Sequence, residues 1–365
     1  MKNVCFFNSI KFWGGGEKLN LEYAVELKRK GYNVVLFAAK NAPLWNNAQA
    51  AGLKTIPISV ANLSFMNVFK LIQIGQLFKK HDIDTVIFSN SQDVKAGSIA
   101  AHFFKIKNIV YYRSIAVLVK GGLVNKFVFG KTLTHIVANS DETKRKILEK
   151  LENSIDPAKI KTIYYGIDFS KFNSDTSLAL PYIEQHKHGI VLGNAGRLTE
   201  QKGQQYFIEI AKKLKAKNLD FTLFIAGKGE LEAQLTQDIK ANKLEKHIHL
   251  LGFVEDMEAF MNSLDIFVLT SMWEGFGYVL AEAMLKAKPV VAFNMTSNPE
   301  VVLENETGFL VDFPNLDQFA DKIATLMRDA ELRKKMGEAG KNSIYNRFNL
   351  NDRVTELEQF ILGKN

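Results

Sequence analysis

Cysteine and long apolar runs are the two things this chain of 365 residues largely lacks. Cys5 is the only cysteine, so a disulfide within the chain is excluded, which fits a reducing compartment. Cys5 stands inside the first apolar run, where a buried thiol is favoured over a nucleophile. No apolar run reaches the ~18 residues that a membrane-spanning helix needs. The first residues already form a strand pattern and lack the charged, apolar and cleavage regions of a signal peptide. We therefore expect a cytoplasmic protein.

The charge of the chain is unevenly distributed. Residues 1–172 contain 25 Lys and Arg against 12 Asp and Glu, a net charge of +13, whereas residues 173–365 contain 22 against 27, a net charge of −5. A basic half indicates an anionic partner, which leaves an anionic membrane surface, a phosphorylated acceptor and nucleic acid as candidates. A solvated lysine-rich surface is the alternative interpretation.

Short apolar strand patterns alternate with helical patterns along the chain, which predicts parallel sheets covered on both faces. The predicted strands are 4–8, 34–39, 85–89, 109–112, 135–138, 189–195, 221–226, 248–251, 266–270 and 290–293. The length favours two domains. We predict an N-terminal domain over 1–172, a polar linker over 173–188 and a C-terminal domain over 189–347. We also expect the last helix, within about 348–365, to return to the first domain. The fold class is therefore α/β, with two doubly wound domains facing each other across a cleft.

Two glutamates eight residues apart, Glu274 and Glu282, follow the strand pattern 266–270. Glu274 lies in a Gly-containing turn, and Glu282 lies one to two turns into the next helical pattern. A helix start offers backbone N–H groups that suit a phosphate. Ionised carboxylates accept hydrogen bonds and so suit sugar hydroxyls. A phosphorylated sugar is the ligand that this combination indicates.

A second polar loop, Gly196 to Gly203, contains Arg197 and Lys202 between a strand pattern and a helical pattern. Arginine can hold two phosphate oxygens at once, while lysine acts as a compact charge. We interpret this pair, named here the diphosphate clamp, as a binding site for a diphosphate. Two surface cations in a loop are the alternative.

Together these motifs resemble those of retaining nucleotide-sugar glycosyltransferases of family 4, which have the GT-B fold. The resemblance runs nearly end to end. Its parts are Gly14-Gly-Gly-Glu17, Val137-Ala-Asn-Ser140, Tyr165-Gly-Ile-Asp168, Gly196-Arg197, Lys202-Gly203, Ala226-Gly-Lys-Gly229, Leu251-Gly-Phe253, Glu274 with Glu282, and Asn305-Glu-Thr-Gly308.

The resemblance implies catalytic roles for Arg197, Lys202 and Glu274. The two cations would bind the donor diphosphate and neutralise the charge of the leaving group, while Glu274 would contact the transferred sugar. Fixed cations aimed at a departing phosphate stabilise the transition state more than the ground state.

The resemblance also implies which residues bind the rest of the donor. Glu282 would accept hydrogen bonds from the ribose, and Phe276 and Gly277 would offer backbone N–H groups. Phe253 and Val254 would lie near the base. Gly15 and Gly16 of the first domain would let the backbone approach the sugar and diphosphate. A UDP-sugar is favoured over a GDP-sugar.

The chain departs from the family at one position. Arg113 stands where family members often have a histidine, and an arginine cannot act as a base at neutral pH. We assign Arg113 and Ser91 to acceptor binding. No metal or other cofactor is expected, because the clamp supplies the positive charge. The D-x-D sequence Asp82-Ile-Asp84 precedes a strand and is interpreted as structural.

The expected activity is transfer of a hexose or N-acetylhexosamine to a glycan or lipid-linked acceptor of the cell envelope. Segments 63–81 and 117–131 mix apolar residues with lysines, which suits docking of the first domain on an anionic membrane. Ordinary core helices are the alternative for these segments. A nucleotide-sugar epimerase and a basic nucleic-acid-binding protein remain alternatives for the whole chain, although no nucleic-acid recognition element stands out.

Overall fold

The computed structural model describes residues 3–172 and 179–363. Its contacts divide the chain into a first unit, Met1–Asp168 with Phe348–Asn365, and a second unit, Phe169–Arg347. Each unit is built around its own parallel sheet.

The first unit contains a seven-stranded sheet with the order β3-β2-β1-β4-β5-β6-β7, in which every neighbouring pair is parallel. Its strands are β1 (Asn3–Asn8), β2 (Asn33–Ala38), β3 (Lys54–Pro57), β4 (Thr85–Phe88), β5 (Asn108–Arg113), β6 (His135–Ala138) and β7 (Ile160–Thr162). The central strands are buried on both faces, which explains why they read as continuous apolar runs.

Helices connect the strands of the first unit. They are α1 (Gly15–Arg29), α2 (Pro43–Ala50), α3 (Val68–Lys80), α4 (Ser91–Phe103), α5 (Leu123–Phe127), which runs into a π-helical turn at Val128–Thr132, and α6 (Asp141–Leu148). Asn90 caps α4 and Ser140 caps α6 through side-chain oxygens that accept backbone N–H groups of the first turn. These caps place both helices directly after the strands that precede them.

The second unit contains a six-stranded parallel sheet with the order β10-β9-β8-β11-β12-β13. The strands are β8 (Ile190–Ala195), β9 (Phe221–Ala226), β10 (Ile248–Gly252), β11 (Ile266–Leu269), β12 (Val290–Phe293) and β13 (Gly308–Val311). The helices are α7 (Pro181–His186), α8 (Tyr206–Ala216), α9 (Glu232–Ala241), α10 (Met257–Asn262), α11 (Tyr278–Leu285), α12 (Asn298–Val301), α13 (Leu316–Arg328) and α14 (Ala330–Arg347). The predicted pair of doubly wound α/β domains is confirmed.

The last helix, α15 (Leu350–Leu362), packs within the first unit. Lys30 at the end of α1 forms an ion pair with Glu358, with 2.7 Å between Nζ and Oε2. The rings of Phe360 and His135 meet edge to face at 5.0 Å between centroids. The apolar face of α15, which includes Val354 and Leu357, is buried. The end of the chain therefore contributes to the core of the unit in which the chain begins.

Several elements differ from the sequence-based expectation. The strands β3, β7 and β13 were not expected, because each is only three or four residues long and lies at the edge of its sheet. Part of the predicted linker, Pro181–His186, is a helix with proline in its first turn and Ile183 buried. Residues 173–178 of that linker lie outside the described residues. In the described parts of the chain, no helix combines the length and the hydropathy required to cross a bilayer.

Candidate active site

Lys202 and Glu274, which lie 72 positions apart in the sequence, form an ion pair in the second unit. Lys202 Nζ lies 2.6 Å from Glu274 Oε1, and the two side chains are only 16% and 10% exposed. The pair joins the loop after β8 to the loop after β11, two neighbouring strands of one sheet. The carboxyl ends of parallel strands meet at one edge, where ligands of such sheets bind.

The backbone holds these two loops together independently of the ion pair. The N–H of Met272 donates to the carbonyl of Gln201 at 2.8 Å, and the hydroxyl of Thr270 donates to the carbonyl of Lys202 at 3.2 Å. Gly203 has a φ of +67°, and a Cβ built there would lie 2.1 Å from the carbonyl oxygen of Thr270. A side chain at position 203 would therefore push the loops apart. These contacts hold the main chain of Lys202 in place, and Glu274 positions its ammonium group.

Arg197, the other member of the diphosphate clamp, is exposed. Within residues 3–172 and 179–363 its guanidinium makes no ion pair or hydrogen bond, although its carbonyl accepts the side chain of Gln204. The next residue, Leu198, is buried, and its N–H donates to the carbonyl of Lys228 at 3.1 Å. Gly227 permits this approach, because a Cβ there would lie 1.9 Å from the carbonyl oxygen of Gly196. The arginine thus projects from an anchored loop with its donors available.

A third loop, after β12, holds the main chain of Glu274. The N–H of Glu274 donates to Thr296 Oγ1 at 2.9 Å, and Ser297 Oγ donates to the carbonyl of Glu274 at 3.2 Å. Sequence reasoning missed Thr296 and Ser297. The signal for them is the polar run that follows the apolar strand β12, at the same sheet edge as the two predicted loops.

Buried polar atoms in these loops have unused hydrogen-bonding capacity. In the described part of the chain, Thr199 Oγ1, Ser271 Oγ and Asn298 Oδ1 are buried without a hydrogen-bond partner. Buried polar atoms are usually hydrogen-bonded to protein groups or ordered water, and a bound ligand can also satisfy them. These three atoms lie in the loops after β8, after β11 and at the start of α12, so the same edge of the sheet offers further contacts to a ligand.

The remaining predicted donor residues of the second unit lie on adjoining elements. Glu282 is half-buried on α11, and Gly277 is the N-cap residue that immediately precedes this helix. Phe276 is buried beside it, whereas Phe253, just after β10, is 74% exposed. Val254 is half-buried next to Phe253. All of these residues follow strands at the carboxyl edge of the sheet, and their donor roles stay predictions.

The predicted glycines of the first unit, Gly15 and Gly16, form the start of α1. A Cβ at Gly15 would meet no atom of the described chain within 4 Å, and one at Gly16 would meet only Ser114 Oγ, at 3.6 Å. The packing of the unit therefore does not require glycine at these positions. The free space above the helix start is compatible with a ligand that approaches the backbone.

A buried carboxyl group, Asp93 on α4, supports the segment between β1 and α1. It accepts the N–H of Ser9 at 2.7 Å and the hydroxyl of Ser9 at 2.6 Å. Burial raises the pKa of Asp93 to about 6, against the lowering effect of these hydrogen bonds. The anchoring of this segment is therefore coupled to a group that titrates in the mildly acidic range.

The two predicted acceptor residues, Ser91 and Arg113, line one cavity of about 410 Å³ in the first unit. Ser91 begins α4, and Arg113 ends β5. Arg113 is buried, and it donates to Tyr111 Oη at 3.2 Å and to the carbonyl of Val117 at 2.5 Å. The structure thus brings these two residues together, while their role stays a prediction.

The D-x-D pair has structural contacts. Asp84 Oδ2 accepts the N–H of Asn3, and the carbonyl of Asp82 accepts the side-chain amide of Asn3. Both contacts join the start of β4 to the start of β1, at the edge opposite the carboxyl ends. Among the described residues, no group of three or more His, Cys, Asp and Glu side chains is arranged to hold a metal ion.

Two family models match this chain, one for each half. The model described as Glycosyltransferase Family 4 matches residues 13–171, and the model described as Glycosyl transferases group 1 matches residues 183–343. The matched regions contain every residue that the sequence analysis assigned to the donor or the acceptor.

Individual relatives match over most of the chain. A UDP-Gal:alpha-D-GlcNAc-diphosphoundecaprenol alpha-1,3-galactosyltransferase of Escherichia coli is 26% identical over 366 residues, covering 95% of this chain and 93% of its own. The capsular polysaccharide biosynthesis glycosyltransferase CapM of Staphylococcus aureus is 30% identical over 231 residues, covering 62% of this chain and 60% of its own. Among solved structures, HepE of Anabaena in complex with UDP and glucose superposes with a TM-score of 0.83 at 19% identity, covering 100% of both chains.

Proposed function

Because this chain belongs to glycosyltransferase family 4 and has the GT-B fold, we propose that it transfers a hexose or N-acetylhexosamine from a UDP-sugar, with retention of configuration. The observation that carries the proposal is the Lys202–Glu274 ion pair, which sets a cation and an acceptor-only carboxylate side by side at the carboxyl edge of the sheet. The glycosyltransferase matches favour this activity over the epimerase and the nucleic-acid-binding protein that the sequence left open.

The ion pair can hold both parts of a sugar diphosphate at once. A lysine ammonium has three N–H donors, and the contact with Glu274 uses one of them. The other two donors, together with the fork of Arg197, are available to phosphate oxygens. The free carboxylate oxygen of Glu274 can accept a sugar hydroxyl. We therefore assign diphosphate binding to Lys202 and Arg197, and sugar binding to Glu274.

In the proposed reaction, the bond between the anomeric carbon and the diphosphate breaks, and its electron pair leaves with the UDP. Arg197 and Lys202 stabilise the negative charge that develops there. An acceptor hydroxyl forms the new bond on the same face, and its proton passes to the departing phosphate oxygen. The clamp supplies the positive charge of this step, so we expect EDTA to leave turnover unchanged.

The choice of donor and acceptor rests on the relatives. The E. coli relative is named for UDP-Gal as donor and for an acceptor on a lipid diphosphate, and CapM is named for capsular polysaccharide. The E. coli relative is also named for an alpha product, which is the outcome that retention gives from an α-linked UDP-sugar. We therefore propose a glycan or lipid-linked acceptor in the synthesis of cell-envelope polysaccharide.

Two exposed apolar segments of the first unit support docking on an anionic membrane. The first includes Phe69, which is 86% exposed on α3, and the second includes Leu123, which is 86% exposed on α5. The inner face of α3 is buried through Ile74 and Phe78, so its outer apolar residues are additional to the core. Lysines adjoin both segments, as at Lys70. Apolar side chains beside lysines can insert between anionic headgroups, and we place the protein at the inner face of the cell membrane.

The test of the proposed activity is a donor-hydrolysis screen. Purified protein is incubated with UDP-glucose, UDP-galactose, UDP-N-acetylglucosamine and GDP-mannose, and release of the nucleoside diphosphate is measured. We expect release from a UDP-sugar by the wild type, and a loss of about 10²- to 10³-fold in Lys202→Met. Equal turnover by the wild type and a folded Lys202→Met variant would overturn the assignment of the clamp.

Membrane docking is tested separately by co-sedimentation with vesicles. We expect binding to vesicles that contain phosphatidylglycerol, weaker binding of the Phe69→Ser/Leu123→Ser double variant, and release by salt. A Tyr182→Ser variant is the matched control, because Tyr182 is an exposed aromatic residue of the second unit. Absence of binding at low salt would contradict the proposal.

A further inference from the structure

The cavity of about 410 Å³ in the first unit is lined by basic and apolar side chains. We call this cavity the Arg113 pocket. Six of its lining residues are Ser91, Lys95, Tyr111, Arg113, Lys120 and Phe129. Three of these six side chains are cationic, and no aspartate or glutamate of the described chain lines the cavity. Its electrostatics therefore favour an anionic ligand.

Arg113 is a buried cation without a counter-ion. Its side chain belongs to a residue that is 5% exposed, and its hydrogen bonds go to neutral groups, Tyr111 Oη and the carbonyl of Val117. Its Nε is buried and has no partner among the described residues. No carboxylate of the described chain lies within ion-pair distance of it. A buried charge is ordinarily paired, because desolvation costs several kcal/mol per ion; the arrangement is therefore incomplete without an anion.

Two other largely buried cations of the described chain have carboxylate counter-ions, whereas Lys288 donates to two main-chain carbonyls. Lys202 is paired with Glu274, and Lys286 is paired with Glu258. Unlike Lys202 and Lys286, Arg113 has no carboxylate partner in the described chain, and it lines a cavity that an anion can enter. Lys95 and Lys120, on α4 and on the segment before α5, add positive charge at the same cavity.

Apart from Asn125, the remaining lining residues of the cavity are apolar. Val94, Ile115, Val117 and Phe129 line it, and the Phe129 ring packs edge to face on Tyr111 at 5.7 Å between centroids. A cavity of about 410 Å³ falls within the usual range of about 300–1,000 Å³ for organic ligands, so it has room for more than a phosphate. The wall thus suits a ligand in which a phosphate is attached to an apolar group.

We propose that the Arg113 pocket binds the diphosphate and the first part of the hydrocarbon chain of a lipid-diphosphate-linked acceptor. The pocket lies at the carboxyl ends of β4 and β5, the same sheet edge at which Gly15 and Gly16 follow β1. This inference rests on the proposed function, since it names the acceptor class of that glycosyltransferase. Arg113 and the two lysines bind the phosphates, and the wall that includes Val94 and Ile115 contacts the chain.

The test measures binding of farnesyl diphosphate, a water-soluble diphosphate with an apolar chain, to the full-length protein by isothermal titration calorimetry. Saturating UDP is present, so that the diphosphate clamp is occupied. Pyrophosphate and dihexanoyl phosphatidylglycerol are titrated in parallel. The variants are Lys95→Ala/Lys120→Ala and, as a matched control, Lys107→Ala, because Lys107 is an exposed lysine of the same unit that does not line the pocket. The lysine variants are preferred to Arg113→Gln, since Arg113 also anchors Val117.

We expect farnesyl diphosphate to bind the wild type and Lys107→Ala equally, and to bind Lys95→Ala/Lys120→Ala at least about tenfold more weakly. Pyrophosphate and the phosphatidylglycerol should bind more weakly than farnesyl diphosphate. The inference is wrong if farnesyl diphosphate does not bind, or if it binds the folded double variant as tightly as the wild type. It is also wrong if the wild type binds pyrophosphate as tightly as farnesyl diphosphate, or binds the phosphatidylglycerol more tightly.

The failure of this inference is distinguishable from failure of the proposed function. UDP binding and UDP-sugar hydrolysis are measured without any acceptor, and they depend on Lys202. If the protein binds UDP and hydrolyses a UDP-sugar but does not bind farnesyl diphosphate, the proposed activity is supported and the proposed acceptor site is wrong. If UDP does not bind at all, the dependence of farnesyl diphosphate binding on Lys95 and Lys120 still decides whether the Arg113 pocket is its site.

Discussion

The Lys202–Glu274 ion pair allows stability and ligand binding to be separated by a double-mutant cycle. Lys202→Met keeps the alkyl chain of the lysine but leaves the carboxylate of Glu274 without its counter-ion. Breaking a fully buried pair costs about 3–5 kcal/mol. Because these side chains retain 16% and 10% exposure, we expect a smaller loss, roughly 2–4 kcal/mol of unfolding free energy. Glu274→Gln should cost less, since Lys202 reaches solvent more easily.

The double variant Lys202→Met/Glu274→Gln removes both charges, so its loss of stability should be smaller than the sum of the two single losses by about 1–3 kcal/mol. Unfolding in urea, followed by circular dichroism, measures all four proteins. Lys286→Met provides the matched control, because the Lys286–Glu258 pair lies in the same unit and has a similar exposure of 10% and 17%. Both lysine variants should be destabilised.

Of the two lysine variants, only the one at Lys202 should weaken the binding of UDP. We expect Lys202→Met to weaken UDP binding about 10- to 100-fold, and Lys286→Met to leave it unchanged. Glu274→Gln should retain UDP affinity but lose about tenfold in affinity for the UDP-sugar, because Glu274 is assigned to the sugar. If Lys202→Met and Lys286→Met bind UDP equally well, Lys202 does not contact the diphosphate. If Lys202→Met costs no stability, the ion pair does not form in solution.

Three further predictions concern the loops and the first unit. Gly203→Ala should lower the unfolding midpoint strongly, because its Cβ would overlap the carbonyl of Thr270; a wild-type melting curve would contradict this. Gly15→Ala should leave the midpoint unchanged, since no atom of the described chain lies near its Cβ, but should reduce UDP-sugar hydrolysis; unchanged kinetics would remove Gly15 from the donor site. Asp93 has a folded-state pKa of about 6, above its ordinary 3.8, so the folded protein holds this proton more tightly than the unfolded chain does. The contribution of Asp93 to the free energy of unfolding is therefore present below about pH 4 and is lost as the pH rises towards 6. Between these pH values, the free energy of unfolding measured in urea should fall by about 3 kcal/mol more in the wild type than in Asp93→Asn. If the unfolding free energies of the two proteins change with pH in parallel, this prediction is wrong.

The parallel sheets could be predicted because their strands are apolar on both faces. β1 and β11, for example, have continuous apolar runs that no amphipathic helix would contain. The short strand β3 was missed, because Lys54–Pro57 is a half-exposed edge strand with a lysine at one end and a proline at the other. The helix Pro181–His186 was also missed, since six residues with one buried side chain show no periodicity.

The two polar loops that contain Lys202 and Glu274 were predictable because each places charged residues directly after an apolar strand. The direct contact between Lys202 and Glu274 was not, since a sequence does not show which of several loops at one sheet edge touch. Thr296 and Ser297 were missed for a related reason: hydroxyl side chains after a strand are common, and only the fold shows that these two hold the main chain of Glu274.

The burial of Arg113 was the least predictable feature, and it changes how this residue is understood. From the sequence, Arg113 was a loop residue that replaces a histidine. In the structure it is the last residue of a fully buried strand, with its guanidinium held by Tyr111 and the carbonyl of Val117. A histidine there could be buried as a neutral ring, whereas an arginine stays charged. The replacement expected from the sequence would exchange a group that can lose its charge for a permanent cation, and we propose that such a cation favours an acceptor with its own negative charge.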